Sequence, residues 1–323
     1  MTASTTIAVV GAGRMGRGLA HVFAYAGHQI TLIDSKPRAD AEHEALQAEA
    51  FADIERSLAS LVEFGAMSAA KVPDILGRIA VVRDTSPLAA AEVVFEAVPE
   101  TMDAKREALA LISRHVPPEA IVASTTSSMM VDELAAMIAR PRRFLNAHWL
   151  NPAYLIPLVE ISPGKETDAS VVECLKGLLK EVNKVPVVCA ASPGFIVPRL
   201  QALAMNEAAR LVEEGVATPA AIDTATRFGL GFRFAAMGVV EFIDWGGGDT
   251  LYRASEYLRD RLGAERYAPP ESVRENMKSG AIGVKSGRGF HDYEGRDMDR
   301  YQKETLGRLL TLLHHHDLLK PPA

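Results

Sequence analysis

The sequence predicts an α/β protein in which a doubly wound sheet precedes an all-α C-terminal region. Two observations carry this prediction. Short apolar runs alternate with helical stretches from "TTIAVV" near the N-terminus to "VPVVCA" at 185–190, which is typical of a parallel sheet flanked by helices. After Pro193 and Gly194, apolar residues recur at helical spacing, as in "RLQALAMNEAARLVEEGVA". We therefore expect two domains, at 1–190 and 191–323.

The composition is that of an ordinary globular protein. The chain has 323 residues, of which 48% are hydrophobic and 24% charged, and its formal net charge is −6. This acidic balance argues against a nucleic-acid partner and against an anionic membrane. No apolar run reaches the roughly 18 residues of a membrane-spanning helix. The N-terminus enters a strand at once, so we expect no signal peptide.

The cysteine and histidine content does not indicate a metal site. Cys174 and Cys189 lack the spacing of metal ligands, and we interpret them as reduced and buried, in a cytoplasmic protein. The "HHH" at 314–316 follows an apolar run, and we interpret it as a helix end. We expect no bound metal.

A glycine-rich turn follows the first predicted strand. Gly11, Gly13 and Gly16 form G-x-G-x-x-G between the apolar run "IAVV" and a helical stretch. In a dinucleotide site the first glycine permits the tight turn, the second lets the backbone approach the pyrophosphate, and the third lets helix and strand pack closely. The helix N-terminus adds free N–H groups for the phosphates. This pattern predicts a Rossmann-type domain, and we assign Arg14 and Met15 to the same cofactor-binding turn.

An acidic residue ends the second predicted strand, "QITLID". Asp34 lies about twenty residues beyond the glycines, where a carboxylate accepts hydrogen bonds from a ribose diol. Its charge would repel a 2′-phosphate, so we expect NAD as the cofactor. Lys36 and Arg38 lie close by and leave the preference against NADP open.

The following elements continue the alternation. Residues 38–70 predict two helices with a break around Gly65, and further helices are indicated at 103–114, 130–139 and 169–181. Between and beyond them, apolar runs predict strands at 78–82, 92–98, 120–125, 144–149, 157–161 and 185–190. The helices after residue 194 carry more apolar surface than a small domain can bury alone. We therefore expect a homodimer through the C-terminal domain.

A candidate catalytic pair lies in "NAHWLNPAYLIPLVEIS". His148 and Glu160 fall on two predicted neighbouring strands joined by a proline-containing loop. A carboxylate fixes the tautomer of a histidine and stabilises the imidazolium, so the two together form a general-base pair. Upstream, "STTSSM" places Ser124, Ser127 and Ser128 at the C-terminal end of a strand, the edge where open α/β sheets bind ligands.

Taken together, these segments resemble the L-3-hydroxyacyl-CoA dehydrogenase family, including its 3-hydroxybutyryl-CoA dehydrogenase-like members. The resemblance covers nearly the whole chain and rests on "GAGRMG", "EAVPETMDAK", "STTSS", "HWLNP…LVEI", "PGFIVPR" and "GVKSGRGFHDY". It implies a homodimeric, NAD-dependent enzyme with a Rossmann-like domain and a helical dimerisation domain. Such an enzyme oxidises a secondary hydroxyl to a ketone.

The resemblance also implies roles for single residues. His148 is the general base, Glu160 orients it, and Ser127 hydrogen-bonds the reacting oxygen. Asn151 is implied near the nicotinamide end of the cofactor and beside the substrate. For Ser124 and Ser128, the alternative is that they only cap the end of the strand.

Three further residues are implied to contact the cofactor. Glu100 and Lys105 match positions near the nicotinamide, and Lys285, in "GVKSGRGF", matches another contact position. The alternatives are a surface ion pair at the start of a helix for Glu100 and Lys105, and a solvated loop lysine for Lys285.

The chain departs from the family at its expected substrate pocket. Pro198 stands where "PGF-x-x-N-R" usually has an asparagine, and a proline side chain offers neither donor nor acceptor. "GLGFRFAAMG" replaces a proline-rich segment and resembles the lambda-crystallin/gulonate dehydrogenase branch, whose substrates are free hydroxy acids. There Arg233 is placed to hold a carboxylate, with a surface or interdomain arginine as the alternative. Residues 39–77 hold only Arg56 and Lys71 as basic residues against eight acidic ones, which disfavours the phosphates of CoA.

We therefore expect a free, carboxylate-bearing hydroxy acid as the substrate, with a 3-hydroxyacyl-CoA thioester as the alternative. A non-catalytic, crystallin-like or NAD-sensing protein is a remote alternative, because the candidate catalytic residues His148, Glu160 and Ser127 are all present. The sequence does not separate oxidation of the alcohol from reduction of the ketone.

Overall fold

The computed structural model describes residues 5–319; residues 1–4 of the N-terminal segment considered above lie outside it. The chain forms two compact units, Met1–Met205 and Asn206–Ala323. The domain boundary at 190 stays a prediction.

The described part of the first unit holds eight strands in a single sheet. These are β1 (Ile7–Val10), β2 (Ile30–Ile33), β3 (Ile79–Val82), β4 (Val93–Glu96), β5 (Ile121–Ser124), β6 (Phe144–Trp149), β7 (Leu158–Pro163) and β8 (Val185–Val188). Their order across the sheet is β3-β2-β1-β4-β5-β6-β7-β8. Neighbours are parallel except β6 and β7, which pair antiparallel.

Helices cover both faces of this sheet. They are α1 (Arg14–Tyr25), α2 (Asp40–Glu63), α3 (Val72–Leu76), α4 (Met102–His115), α5 (Val131–Ala135) and α6 (Ala169–Glu181). Because side chains alternate along a strand, Ile7 and Val9 belong to the buried cluster that includes residues of α1, α2 and α6. Ala8 and Val10 belong to the cluster on the other face, with residues of α4 and α5. The doubly wound α/β architecture is thereby confirmed.

The helix α7 (Val197–Glu213) begins in the first unit and ends in the second. Pro198 is its second residue. The missing N–H of a proline costs no intrahelical hydrogen bond in the first turn of a helix.

The second unit is helical over its described residues. It contains α8 (Pro219–Ala225), a π-helical turn (Thr226–Gly231), α9 (Phe232–Ala236), α10 (Val239–Gly246), α11 (Gly248–Leu262), α12 (Glu271–Ser279) and α13 (Met298–His315). Asp244 is 1% exposed and accepts hydrogen bonds from the backbone N–H groups of Phe290 and His291, at 2.9 and 2.7 Å. Tyr301 of α13 donates a hydrogen bond to Glu241 at 2.8 Å.

Two smaller expectations can be compared with the structure. Cys174 is exposed and Cys189 is half-buried, and both are free thiols; the expectation that both are buried is wrong, because Cys174 lies on the outer face of α6. Among residues 5–319, no helix has both the length and the apolar character needed to span a membrane.

Candidate active site

The glycine turn between β1 and α1 has the shape that a dinucleotide needs. Gly11 has a φ of +117°, and a Cβ there would lie 2.5 Å from the carbonyl oxygen of Ala97. A Cβ on Gly16 would lie 2.0 Å from the carbonyl oxygen of Gly11, so a glycine is required where helix and strand meet. A Cβ on Gly13 would meet nothing within 4 Å, because this residue faces open space. The backbone at Gly13 is therefore open to a pyrophosphate.

A cavity of about 310 Å³ adjoins the turn; we call it the aspartate cavity, and its wall includes Gly13, Asp34, Lys36 and Arg38. Asp34 is 4% exposed, and its Oδ2 atom accepts a hydrogen bond from Arg38 Nε at 2.9 Å. His43 Nδ1 lies 3.4 Å from the same oxygen. Among the described residues, Oδ1 has no hydrogen-bond partner, which leaves it for a ribose hydroxyl.

The predicted catalytic pair is formed across the antiparallel strands. His148 of β6 lies directly opposite Glu160 of β7, and His148 Nδ1 is 2.8 Å from Glu160 Oε2. Both residues are buried, at 6% and 0% exposure. Since a carboxylate can only accept hydrogen bonds, Nδ1 carries the proton and Nε2 is left as an acceptor.

The other oxygen of Glu160 binds the backbone just before Pro198. Glu160 Oε1 accepts the N–H groups of Ile196 and Val197, at 2.9 and 2.8 Å. Phe195 stacks on the imidazole of His148, with ring centroids 5.1 Å apart and an interplanar angle of 8°. The segment 193–198 therefore holds the catalytic pair from one side.

His148 faces a cavity of about 450 Å³, which we call the histidine cavity. Most of the predicted site residues of the first unit line it, namely Arg14, Met15, Glu100, Ser127, His148, Asn151 and Pro198. Ala97 and Val98 line this cavity and the aspartate cavity as well. A dinucleotide held at the glycine turn can thus extend from the ribose position at Asp34 towards His148.

The loop that carries Ser127 is held by one carboxylate. Glu100 Oε1 accepts hydrogen bonds from the N–H groups of Ser127 and Ser128, at 3.0 and 3.1 Å, and from the hydroxyls of Thr126 and Ser128. Burial raises the pKa of Glu100, but these hydrogen bonds and the ammonium of Lys105 outweigh it and bring the pKa to about 2. Glu100 is therefore ionised and fixes the loop of Ser127.

Behind this loop lies a buried ion pair. Lys105 Nζ is 3.0 Å from Glu96 Oε1 and 3.2 Å from Glu100 Oε2. The side chains of Lys105 and Glu96 are 1% and 0% exposed. The alternative of a surface ion pair at Lys105 is therefore wrong, because strand β4 buries the lysine beneath the cavity wall.

A third cavity, of about 480 Å³, lies between α1, α2 and the loop after β6; we call it the arginine cavity. It shares Arg14 and Asn151 with the histidine cavity, and its wall includes Arg17, Arg56 and Ser57. Arg17 forms ion pairs with Glu49 and Asp53, and Arg56 pairs with Asp53. The acidic character expected from residues 39–77 is thus offset at this cavity, since α1 contributes arginines that a count over 39–77 omits.

Two family models match this chain. The model described as "3-hydroxyacyl-CoA dehydrogenase, NAD binding domain" matches residues 6–192, and the C-terminal domain model of the same family matches residues 194–293. The chain belongs to the 3-hydroxyacyl-CoA dehydrogenase family. The cofactor is accordingly NAD, and the chain is an oxidoreductase that acts on a CH–OH group.

Similar proteins and structures include members with different substrates. The chain is 35% identical over 289 residues to a probable 3-hydroxybutyryl-CoA dehydrogenase of Bacillus subtilis, covering 89% of this chain and 97% of that protein. It is 29% identical to 5-formyl-3-hydroxy-2-methylpyridine 4-carboxylate 5-dehydrogenase of Mesorhizobium japonicum, covering 95% and 96%. The crystal structure of a 3-hydroxyacyl-CoA dehydrogenase from Archaeoglobus fulgidus matches with a TM-score of 0.77 and 31% identity, covering 98% and 100%.

Two predicted site residues of this dehydrogenase lie in the second unit. Arg233 is exposed on α9, with its guanidinium carbon 5.3 Å from the ring centroid of Phe242. Lys285 pairs with Asp249, the Nζ and Oδ1 atoms being 2.6 Å apart. Their roles towards substrate and cofactor stay predictions.

Two residues of the site, Glu96 and Phe195, are not predicted from the sequence. Glu96 ends the apolar run of β4, and a charged residue at that place was a usable signal. Phe195, which stacks on His148, has a φ of 45°, and no local pattern marks it. Its role depends on how the segment 193–198 folds over β6 and β7.

Proposed function

We propose that this family member catalyses the NAD-dependent oxidation of the secondary hydroxyl of a 3-hydroxyacyl substrate, with His148 as the general base. The observation that carries the proposal is the 2.8 Å contact between His148 Nδ1 and Glu160 Oε2 at the wall of the histidine cavity. A buried histidine that is oriented by a carboxylate and has one free nitrogen facing a cavity fits proton abstraction.

Three side chains take part in removing the proton of the substrate hydroxyl. His148 Nε2 takes the proton of the substrate hydroxyl, and the carboxylate of Glu160 stabilises the imidazolium that forms. The exposed hydroxyl of Ser127 donates a hydrogen bond to the reacting oxygen, from a loop that Glu100 fixes. The glycine turn and Asp34 would hold NAD⁺, which would supply the acceptor for the hydride.

For the substrate, we propose a CoA thioester as the first candidate. The arginine cavity adjoins the histidine cavity through Arg14 and Asn151, which leaves room for a long substrate beyond the reacting carbon. Among the described residues, the guanidinium of Arg14 forms no hydrogen bond or ion pair, so it is available to an anionic group. The B. subtilis relative is named for a CoA thioester.

A free, carboxylate-bearing hydroxy acid is the second candidate, and one observation favours it. Pro198 lines the histidine cavity, so the position where the family usually has an asparagine offers no hydrogen bond to a thioester carbonyl. The M. japonicum relative is named for a pyridine carboxylate. The sequence-based preference for a free acid stays a prediction.

The test is a paired measurement of NAD⁺ reduction. Purified enzyme is given L-3-hydroxybutyryl-CoA, free L-3-hydroxybutyrate, L-gulonate, carnitine and aromatic hydroxy acids under the same conditions. A kcat/KM that is highest for the thioester supports the first candidate. The opposite order overturns it, and no turnover of any of these compounds supports a non-catalytic protein.

A Pro198→Asn variant should raise kcat/KM for the thioester by roughly tenfold if the missing hydrogen bond limits it.

We also propose that two copies associate through the second unit, as expected from the sequence. Large apolar side chains of this unit are exposed, including Leu230, Val240, Tyr257, Leu258 and Leu262, and contiguous exposed apolar surface marks association sites. Light scattering should give twice the monomer mass for the native chain. A Leu258→Asp variant should shift the mass towards the monomer, whereas a monomeric native chain would contradict the proposal.

The free thiols of Cys174 and Cys189 suit the expected cytoplasmic location.

A further inference from the structure

The ion cluster behind the loop of Ser127, in which Glu96 and Lys105 are buried and Glu100 is partly exposed, contains one more negative than positive charge. Glu96 and Glu100 lie on either side of Lys105, whose Nζ atom approaches Glu96 Oε1 at 3.0 Å, Glu100 Oε2 at 3.2 Å and the carbonyl oxygen of Val98 at 3.4 Å. These contacts account for the three protons of an ammonium group. Lys105 is thus the only cation of the cluster among the described residues.

Glu96 is surrounded by donors only. Its Oε1 accepts the N–H of Val98 at 2.8 Å as well as Lys105, and its Oε2 accepts the hydroxyl of Ser124 at 2.6 Å. The Ser124 oxygen itself accepts the N–H of Thr126 at 3.3 Å, so its proton points to Glu96. These surroundings suit a carboxylate. With Glu100 ionised too, the cluster holds two carboxylates and one ammonium.

A buried ion pair is weak evidence for a role in stability, because replacing both partners by apolar residues of similar volume is often neutral or stabilising. The position of the excess negative charge relative to the cofactor indicates a function. Glu100 lies in the wall of the histidine cavity, and oxidation beside His148 requires the nicotinamide ring to occupy that cavity. The ring carries a positive charge in NAD⁺ and none in NADH.

We propose that the net negative charge of this cluster makes the site favour NAD⁺ over NADH. A cluster that lacks the charge of Glu96, and so holds one carboxylate and one ammonium, would favour NAD⁺ less. The inference rests on the proposed oxidation beside His148. Arg14 also lines the cavity and opposes this effect, but it is exposed to solvent, so its charge is better screened than that of the buried Glu96. Ser127 and the base His148 keep their roles whichever form of the cofactor is bound.

The experiment measures dissociation constants for NAD⁺ and NADH by calorimetry, without substrate, for the native chain and for Glu96→Gln and Ser124→Ala. Glutamine has the size of glutamate and removes the charge. Ser124→Ala removes a hydrogen bond to the same carboxylate and keeps the charge. We expect Glu96→Gln to shift the ratio of the two constants towards NADH on the order of tenfold, and Ser124→Ala to leave the ratio within about twofold.

A purely structural role for Glu96 would weaken the binding of both cofactor forms equally. Equal shifts in Glu96→Gln, or the same ratio change in Ser124→Ala, would overturn the proposal. If Glu96→Gln fails to fold, Glu100→Gln is measured in the same way, with the same expected direction and the same contradicting result. Because no substrate is present, failure of this proposal leaves the substrate panel unaffected.

Discussion

His148 Nδ1 and Glu160 Oε2 lie 2.8 Å apart across the antiparallel β6–β7 pair, while Glu160 Oε1 accepts the N–H groups of Ile196 and Val197. One carboxylate therefore orients the base and also holds the start of α7. Pro198 is tolerated because an N–H in the first turn of a helix has no intrahelical partner. Glu160 satisfies the N–H groups of the two residues that precede it.

The first prediction concerns Glu160→Gln. The amide cannot accept N–H groups from α7 on one side and from His148 on the other, because one end of the side chain has become a donor. We expect kcat to fall by roughly 10²- to 10⁴-fold, and the free energy of unfolding to fall by about 1–3 kcal/mol. Steady-state kinetics and chemical denaturation measure both. Glu166→Gln, at an exposed position on the following loop, is the control; a kcat within tenfold of the native value in Glu160→Gln would contradict the assigned role.

The second prediction concerns the choice between NAD and NADP. Arg38 is held by Asp34 at 2.9 Å, in the cavity that also contains Lys36. Asp34→Ser removes the charge that repels a 2′-phosphate and frees the guanidinium to bind one. We expect the preference for NAD over NADP, measured as the ratio of kcat/KM, to fall by roughly 10²-fold. Two interactions change, because the repulsion by Asp34 is lost and Arg38 becomes free to bind the 2′-phosphate. Adding Arg38→Ala should remove the gain with NADP, and an undiminished preference in Asp34→Ser would count against this account.

The third prediction concerns the pH dependence of stability. Burial, with a smaller contribution from Lys184, lowers the pKa of His21 to about 4, and Nδ1 of His21 lies 2.6 Å from the Ser57 hydroxyl. The unfolded chain therefore binds a proton near pH 6.5 that the folded chain does not accept until about pH 4. Above pH 6.5 the titration of His21 does not lower the free energy of unfolding. As the pH decreases from 6.5 to 4, this free energy falls by at most about 3 kcal/mol.

His21→Phe tests this prediction because it keeps a ring against Tyr154, which stacks on His21 at 4.7 Å, and removes the titrating group. Urea denaturation between pH 7 and pH 4 should show a smaller loss of stability for this variant than for the native chain. His314→Gln, at an exposed position on α13, should behave like the native chain. Identical slopes for His21→Phe and the native chain would refute the assignment.

Most of the fold could be predicted from the sequence because its signals are local. The apolar strands, the G-x-G-x-x-G turn and Asp34 lie within one continuous segment, and each element restricts its neighbours. His148 and Glu160 could be paired in advance because a short loop joins their strands.

The missing parts of the prediction depend on contacts between distant segments. The composition of residues 39–77 predicts an acidic face, but Arg17 of α1 pairs with Glu49 and Asp53. The sequence leaves a surface ion pair open for Lys105, yet Lys105 is buried and its Nζ lies 3.0 Å from Glu96. Neither contact leaves a periodic or composition signal along the chain.

The most direct test of the central claim compares His148→Gln with the native chain in two measurements, NAD⁺ reduction with the best substrate of the panel and NAD⁺ affinity by calorimetry. If His148 is the general base, kcat falls by at least about 10²-fold and the dissociation constant for NAD⁺ stays within about twofold, because the glycine turn and Asp34 are untouched. A kcat within tenfold of the native value, with the variant folded and binding NAD⁺, would contradict the claim.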